Sequence, residues 1–327
     1  MPAHLRLKQT LKRGALVAIA NWPLVLIQFL ADTIFNAMLL VPVVGGVVLV
    51  MLLVGADPTA LMQMEYREAI PALIGALLAQ PVALVAFVTA LGIVTLGGSV
   101  LMFGVKAATV WVLVAAERHA GPLEEPPLRS ELLASAFQVS ISRLLGGMRR
   151  LFRGYLTLGL LLGAAYLTVA VLAVALLFGP TQASFDNRVV VTATSTLTLA
   201  GITLVNFIYL FAQIVLAVDG VPVAESLRRV GQTLRQRALL ALGLFGAIAG
   251  LLLLATLGSL LATVALGLIA FVPLLGVAAL PLQLLAWLLR GLVFQFISVT
   301  GAAACVHLYM KTHASDARPE ALPAGAR

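Results

Sequence analysis

The strongest constraint in this sequence is an apolar stretch of 33 residues, Trp22–Val54, whose only ionisable side chain is Asp32. At ~1.5 Å rise per residue, a helix of this length exceeds the ~30 Å hydrocarbon core of a bilayer. A soluble helix of the same length would need a polar face, and this stretch has none. The stretch therefore predicts a membrane-spanning helix.

Composition extends this prediction to the whole chain. The 327 residues are 61% hydrophobic and 10% charged, whereas soluble domains are roughly 45–50% apolar and ~25% charged. The apolar runs are far longer than the ~10-residue alternating strands of an outer-membrane barrel. The sequence predicts an all-α polytopic membrane protein with six transmembrane helices arranged as three hairpins. The predicted spans are 22–54, 81–116, 155–178, 189–218, 238–270 and 282–310.

Three regions follow along the chain: a basic amphipathic segment over 1–20, one transmembrane domain over 21–310, and a polar tail over 311–327 that is predicted to be disordered. Apolar residues three and four apart predict an amphipathic cytoplasmic helix over 130–152. Each odd-numbered span is thus expected to follow a basic helix in the membrane interface. A short surface helix is expected within 55–70.

The cations are distributed very unevenly between the connecting segments. The N-terminal arm, the 117–153 and 219–237 loops and the tail carry 17 Lys and Arg, and the opposite loops carry two. The positive-inside rule then places both termini on the cytoplasmic side of a bacterial inner membrane. The net charge of +8 is attributed to this bias and to anionic lipid, and no nucleic-acid partner is predicted. The cations expected to contact inner-leaflet headgroups are Lys12, Arg13, Arg149, Arg150, Arg228, Arg229 and Arg235.

Asp32 and Lys106 form a candidate intramembrane pair. Each lies ten residues from the cytoplasmic end of its span, so both are expected ~15 Å below that interface. An unpaired charge at the centre of a bilayer costs ~2.5–3.5 kcal/mol on insertion scales. The pair could be a salt bridge joining the first two spans, a proton or ion relay, or an anchor for a polar substrate. Alternatively, Lys106 extends to the interface without meeting Asp32.

Motifs of catalysis or cofactor binding are not found. The sequence has no Walker motif, nucleophile elbow or His-Glu-x-x-His zinc motif. Cys305 is the only cysteine, and the four histidines, His307 among them, have no metal-ligand spacing. No metal, cofactor or enzymatic activity is predicted.

One segment resembles a known group. The turn Asp219-Gly220 is followed by Glu225, Arg228, Arg229 and Arg235 in a helix that leads into span five. This arrangement resembles a motif of six-span bacterial membrane proteins, namely the membrane domain attached to some glycerophosphodiester phosphodiesterases and the YciC-like proteins. Val230 stands where a serine or another small residue is more usual. The resemblance implies six spans and an inner-membrane location, and it implies no catalytic activity.

The function expected from these features is a non-enzymatic one. The protein is expected to organise lipids or partner proteins, with a membrane-protein partner or a second copy of itself as candidates. The alternative is a small-solute or ion transporter that uses Asp32 and Lys106.

Overall fold

The computed structural model describes residues 7–54, 75, 78–123, 130–178, 188–270 and 275–316. No strand occurs in this part of the chain, and the all-α fold class is confirmed. The helices are α1 Leu7–Ala20, α2 Trp22–Val54, α3 Pro81–His119, α4 Ser130–Ala136, α5 Ile141–Phe178, α6 Arg188–Asp219, α7 Val223–Ala270 and α8 Leu275–Asp316.

Six of these helices, α2, α3 and α5 to α8, are long and apolar enough to cross a membrane. Pro23 and Pro81 stand in the first turns of α2 and α3, where a missing N–H costs no helical hydrogen bond. The chain is therefore a multi-pass membrane protein, and α2 has the same bounds as the predicted first span.

The prediction of one uninterrupted helix over 130–152 is wrong. Helix α4 ends at Ala136, and α5 begins only at Ile141. The cause is the buried side chain of Asn21, whose Nδ2 donates to the carbonyl of Ala136 at 2.8 Å and whose Oδ1 accepts from the N–H of Gln138 at 2.8 Å. These contacts use backbone groups that a continuous helix would need.

Helices α5 and α7 begin earlier than the predicted spans. Helix α5 continues without interruption through predicted span three, and α7 includes the basic segment before span five. No proline interrupts either helix. At the other end, α8 extends to Asp316, six residues into the predicted tail. Residues 317–327 and the predicted surface helix within 55–70 lie outside the described residues.

The chain divides into two compact units, residues 1–29 with 104–327 and residues 30–103. In the first unit, α6 packs between α5 and α7, α7 packs on α8, and α1 packs along α8 with α4 beside it. Its buried core lies beside the contact between α1 and α8 and includes Val17, Leu113, Phe211, Val299 and Tyr309. We call the end of the first unit that contains these five residues the terminal side.

Away from the terminal side, the helices of the first unit expose apolar side chains such as Leu172, Leu261 and Leu285. Such surfaces are typical of helices that face lipid.

Gly14 determines how closely α1 approaches α8. A Cβ atom at this position would lie 2.6 Å from the carbonyl oxygen of Thr300 and 2.7 Å from the Cβ of Ala304. Any larger residue would separate the two helices, because one of these neighbours is a backbone atom. The α1–α8 contact is thus a small-residue contact of the kind that lets helix backbones meet.

The second unit is an antiparallel helix pair from α2 and α3. Phe35 packs over Gly98, and Phe87 packs over Gly46. The buried Ala83 lies beside Phe87 in the same contact. Aromatic rings on one helix therefore fill the space that glycine leaves on the other.

Candidate functional site

A buried ionic cluster lies on the terminal side and joins three helices. The Nε of Arg13, from α1, donates to both carboxylate oxygens of Glu117, at 2.8 Å and 3.1 Å. The Nδ1 of His307, from α8, lies 2.7 Å from Glu117 Oε1. The three side chains are only 7–9% exposed. Because a carboxylate can only accept, His307 carries its proton on Nδ1.

Both terminal nitrogens of Arg13 also donate hydrogen bonds. Its Nη1 donates to the carbonyl of Gly121 at 3.0 Å, and its Nη2 donates to the carbonyl of Ala120 at 3.2 Å. Buried ion pairs are tolerated when additional hydrogen bonds offset the loss of hydration. The cluster therefore fastens α1 and α8 to the end of α3.

A second cluster surrounds the turn between α6 and α7. Asp219 Oδ2 accepts from the hydroxyl of Tyr309 at 2.6 Å and from Nη1 of Arg229 at 2.6 Å. Glu225 accepts from Nε of Arg228 at 2.8 Å and from Nε of Arg229 at 3.0 Å. Gly220, with φ of 67°, ends α6 and gives the chain its turn into α7.

This second cluster contains the acidic-glycine turn and the first basic residues of the helix that follows it. Glu225 forms ion pairs with Arg228 and Arg229, and Asp219 forms one with Arg229. Asp219 also accepts a hydrogen bond from Tyr309 of α8. In this chain these residues shape the turn between two spans. Val230 is buried, so the position favours an apolar side chain here.

Arg228 and Arg229 hold the pKa of Glu225 well below its ordinary value. The hydrogen bond from Arg228 has the largest effect, the one from Arg229 follows, and the pKa falls from 4.5 to about 2. A carboxyl group with a depressed pKa stabilises the folded state above its unfolded pKa. That contribution is fully present above about pH 4.5 and is lost as the pH falls through about 2.

We expect the carboxyl carbon resonance of Glu225 to titrate at about pH 2 in the purified protein. Arg228→Gln should move the titration toward the ordinary value, because it removes the first hydrogen bond. Arg235→Gln, an exposed change on the same helix, is the control and should leave the titration in place. Wild-type titration near pH 4.5 would contradict the ion-pair geometry.

A cationic pocket of about 630 Å³ opens beside this turn. Arg150, Arg153 and Thr157 of α5 form one wall, and the turn from Gly220 to Val223 forms the other. The guanidinium of Arg150 lies over the ring of Trp111 at 5.0 Å, which fixes its position by a cation–π contact. Two arginines on one wall of a pocket are suited to an anion, and phosphate oxygens match the planar donors of arginine.

The cations predicted to contact headgroups differ in how far they are buried. Arg13 is buried in the ionic cluster, so the prediction that it contacts lipid is wrong. Arg229 is half-buried and holds Asp219 and Glu225. The other predicted cations lie on the surface, namely Lys12, Arg149, Arg150, Arg228 and Arg235.

The predicted Asp32–Lys106 pair remains a prediction. Asp32 lies in the second unit and Lys106 in the first. Asp32 accepts a hydrogen bond of 3.3 Å from Nδ2 of Asn36, one helical turn further along α2.

Sequence reasoning missed Glu117, His307, Asp219 and Tyr309 as members of a site. The sequence offered one indication of Glu117, namely that it is an acid at the end of a long apolar run. Its partners are 104 and 190 residues away in the chain, so the sequence could not identify them. Among the residues that the structure describes, no cluster of His, Cys, Asp and Glu is arranged to hold a metal ion.

Comparison with known proteins yields no relative. No protein-family model, curated protein or solved structure matches this chain.

Proposed function

We propose that this is a non-enzymatic protein of a bacterial cytoplasmic membrane that gathers anionic phospholipids at the inner face. The observation that carries the proposal is the cationic pocket, in which Arg150 and Arg153 face the turn from Gly220 to Val223. The phosphate of a lipid headgroup is the ligand class that this pocket fits.

The pocket offers several donors to one anion. Both guanidinium groups are exposed and stand three residues apart on α5, so they share one helix face. The first turn of α7 contributes the partial positive charge of a helix N-terminus. Glu225 in that turn is already paired with Arg228 and Arg229, so it opposes an incoming phosphate less than a free carboxylate would.

Further cations on α5 and α7 support an inner-leaflet position. Arg149 and Arg235 are exposed. The cytoplasmic leaflet is negatively charged and attracts each nearby cation by about 1 kcal/mol. The positive-inside rule gives the same sidedness for the loops that carry these residues.

A non-enzymatic role is supported by the hydrogen bonds of the acids in the two ionic clusters. Glu117 and Asp219 each accept hydrogen bonds from two partners at 2.6–2.8 Å. A general acid or base must reach its substrate within hydrogen-bond distance, and these carboxylates are occupied by structural partners. The clusters hold helices together, and the pocket beside them is open.

We expect the variant Arg150→Gln/Arg153→Gln to lower the amount of retained phosphatidylglycerol by a factor of about ten or more. The reason is that a hydrogen bond to a charged group contributes about 1.5–3 kcal/mol. Lipid that remains bound through purification at about 1 M salt is counted by mass spectrometry. At this salt the Debye length is ~3 Å, so general attraction by exposed cations is screened.

The matched control is Arg149→Gln/Arg235→Gln, which removes the same charge outside the pocket. We expect it to retain phosphatidylglycerol at close to the wild-type level in high salt. Equal losses in both double variants would show that total charge, and not the pocket, holds lipid. Equal retention of phosphatidylcholine and phosphatidylglycerol by wild type would also contradict the proposal.

A further inference from the structure

A groove of about 560 Å³ lies between α7 and α8, away from the terminal side. Gly258 and other small residues of α7 form one wall, and Trp287 and Phe294 of α8 form the other. Four polar side chains line it: Ser259, Thr263, Gln283 and Arg290. The volume falls within the roughly 300–1,000 Å³ typical of small-molecule sites.

Arg290 is the residue that needs explanation. It is exposed, and its guanidinium carbon lies 5.7 Å from the centre of the Phe294 ring. Within the described part of the chain, Arg290 has neither a carboxylate within salt-bridge distance nor a hydrogen-bond acceptor. A charge in a membrane span is costly unless an opposite charge compensates it. An anionic ligand in the groove would compensate this charge.

The depth of Arg290 indicates where that anion comes from. Arg290 precedes His307 by 17 residues in α8, which is about 26 Å along the helix axis. The hydrocarbon core is ~30 Å thick. The apolar span runs from Pro281 to Thr312, so Arg290 lies in the half nearer Pro281, from which a side chain of its length can reach the headgroups of the leaflet opposite His307.

The walls of the groove fit the rest of a phospholipid. Gln283, Trp287, Arg290 and Phe294 recur at helical spacing and share one face of α8. Next to the groove, α7 and α8 expose leucines such as Leu254 and Leu289, along which an acyl chain can lie. An apolar wall that leads to a single cation is complementary to a molecule with an apolar chain and an anionic head.

We propose that this groove binds one anionic phospholipid of the leaflet opposite the terminal side, with its phosphodiester against Arg290. The hydroxyl of Ser259 and the amide of Gln283 supply further hydrogen bonds to the headgroup and glycerol oxygens. The acyl chains lie against the small residues of α7. A free phosphate ion would offer Arg290 the same chemistry, but the proposed occupant is the phosphate group of a lipid. This site is separate from the cationic pocket.

The test is a titration of lipid-depleted protein in neutral detergent with phosphatidylglycerol, followed by native mass spectrometry. Arg290→Gln should raise the dissociation constant at least about tenfold. Lys311→Gln is the control, because it removes an exposed cation from the other end of the same helix and should leave binding unchanged. Each variant is also made in the Arg150→Gln/Arg153→Gln background, so that failure of one site is distinguished from failure of the other.

Gly258→Leu provides a second, independent variant. A Cβ at Gly258 would meet no atom within 4 Å, so the larger side chain enters the groove and not the helix contact. It should weaken lipid binding while Arg290 is retained. If Arg290→Gln does not fold, Gly258→Leu and Arg290→Lys decide the result, with the lysine variant expected to keep part of the affinity.

Two results would overturn the proposal. One is unchanged phosphatidylglycerol binding in both Arg290→Gln and Gly258→Leu. The other is binding of inorganic phosphate that depends on Arg290 but is unaffected by Gly258→Leu, in a protein that retains no lipid. The groove would then bind a free anion and not a lipid.

Discussion

Replacing Glu117 with alanine is expected to lower the free energy of unfolding by about 3–5 kcal/mol, because Arg13 and His307 would lose the buried carboxylate that they share. The guanidinium of Arg13 is 8% exposed in the folded protein and would lose both oxygens of the carboxylate to which its Nε donates. His307 would lose its acceptor as well. Thermal unfolding of the purified protein in detergent measures the effect.

The control for this change is Glu131→Ala, which removes an exposed carboxylate from α4. Its effect should stay within about 0.5 kcal/mol. The double variant Arg13→Met/Glu117→Leu should recover much of the lost stability, since apolar pairs often replace buried ion pairs without penalty. Similar unfolding midpoints for Glu117→Ala and Glu131→Ala would mean that the cluster does not hold the helices.

Gly14→Leu is expected to detach α1 from α8 and to expose Cys305 to thiol reagents. The first atom of the new side chain would lie 2.6 Å from the carbonyl oxygen of Thr300 and 2.8 Å from the backbone nitrogen of Ala304. Backbone atoms within a helix cannot move aside, and overpacking typically costs about 1–3 kcal/mol. Cys305 follows Ala304 directly, is fully buried and is the single cysteine in the sequence.

Maleimide labelling of Cys305 measures this separation in intact membranes. Wild type should label slowly and Gly14→Leu at least about tenfold faster if the helix contact weakens by 1.4 kcal/mol or more. Gly231→Leu is the matched control, because a Cβ there meets no atom within 4 Å on the exposed side of α7. Slow labelling in both variants would show that α1 does not depend on Gly14.

Long apolar runs were the most reliable information in the sequence. Helix α2 has the bounds predicted for the first span, since length and the absence of a polar face decide the matter locally. The helix predicted over 130–152 failed because its periodicity does not reveal Asn21, more than 100 residues earlier, which takes the backbone groups at Ala136 and Gln138. Local patterns cannot report a competitor that is distant in the chain.

The candidate site was predictable only in its surface part. Arg150 was expected at the membrane surface and lies in the cationic pocket. Arg13 belongs to a similar cluster of cations in the sequence, yet it is buried against Glu117. Composition distinguishes basic segments from apolar ones, but it does not show which cation finds an acid on another helix.

The contact between α1 and α8 has a consequence for biosynthesis. Gly14 and Arg13 leave the ribosome about 290 residues before Ala304 and His307, an interval of roughly 15–60 s at ~5–20 residues per second. During that interval α1 has no α8 to receive it, so its apolar face must rest on lipid or on an insertion factor. Nascent chains that stop before residue 300 should therefore present a free amphipathic arm, whereas finished chains conceal it.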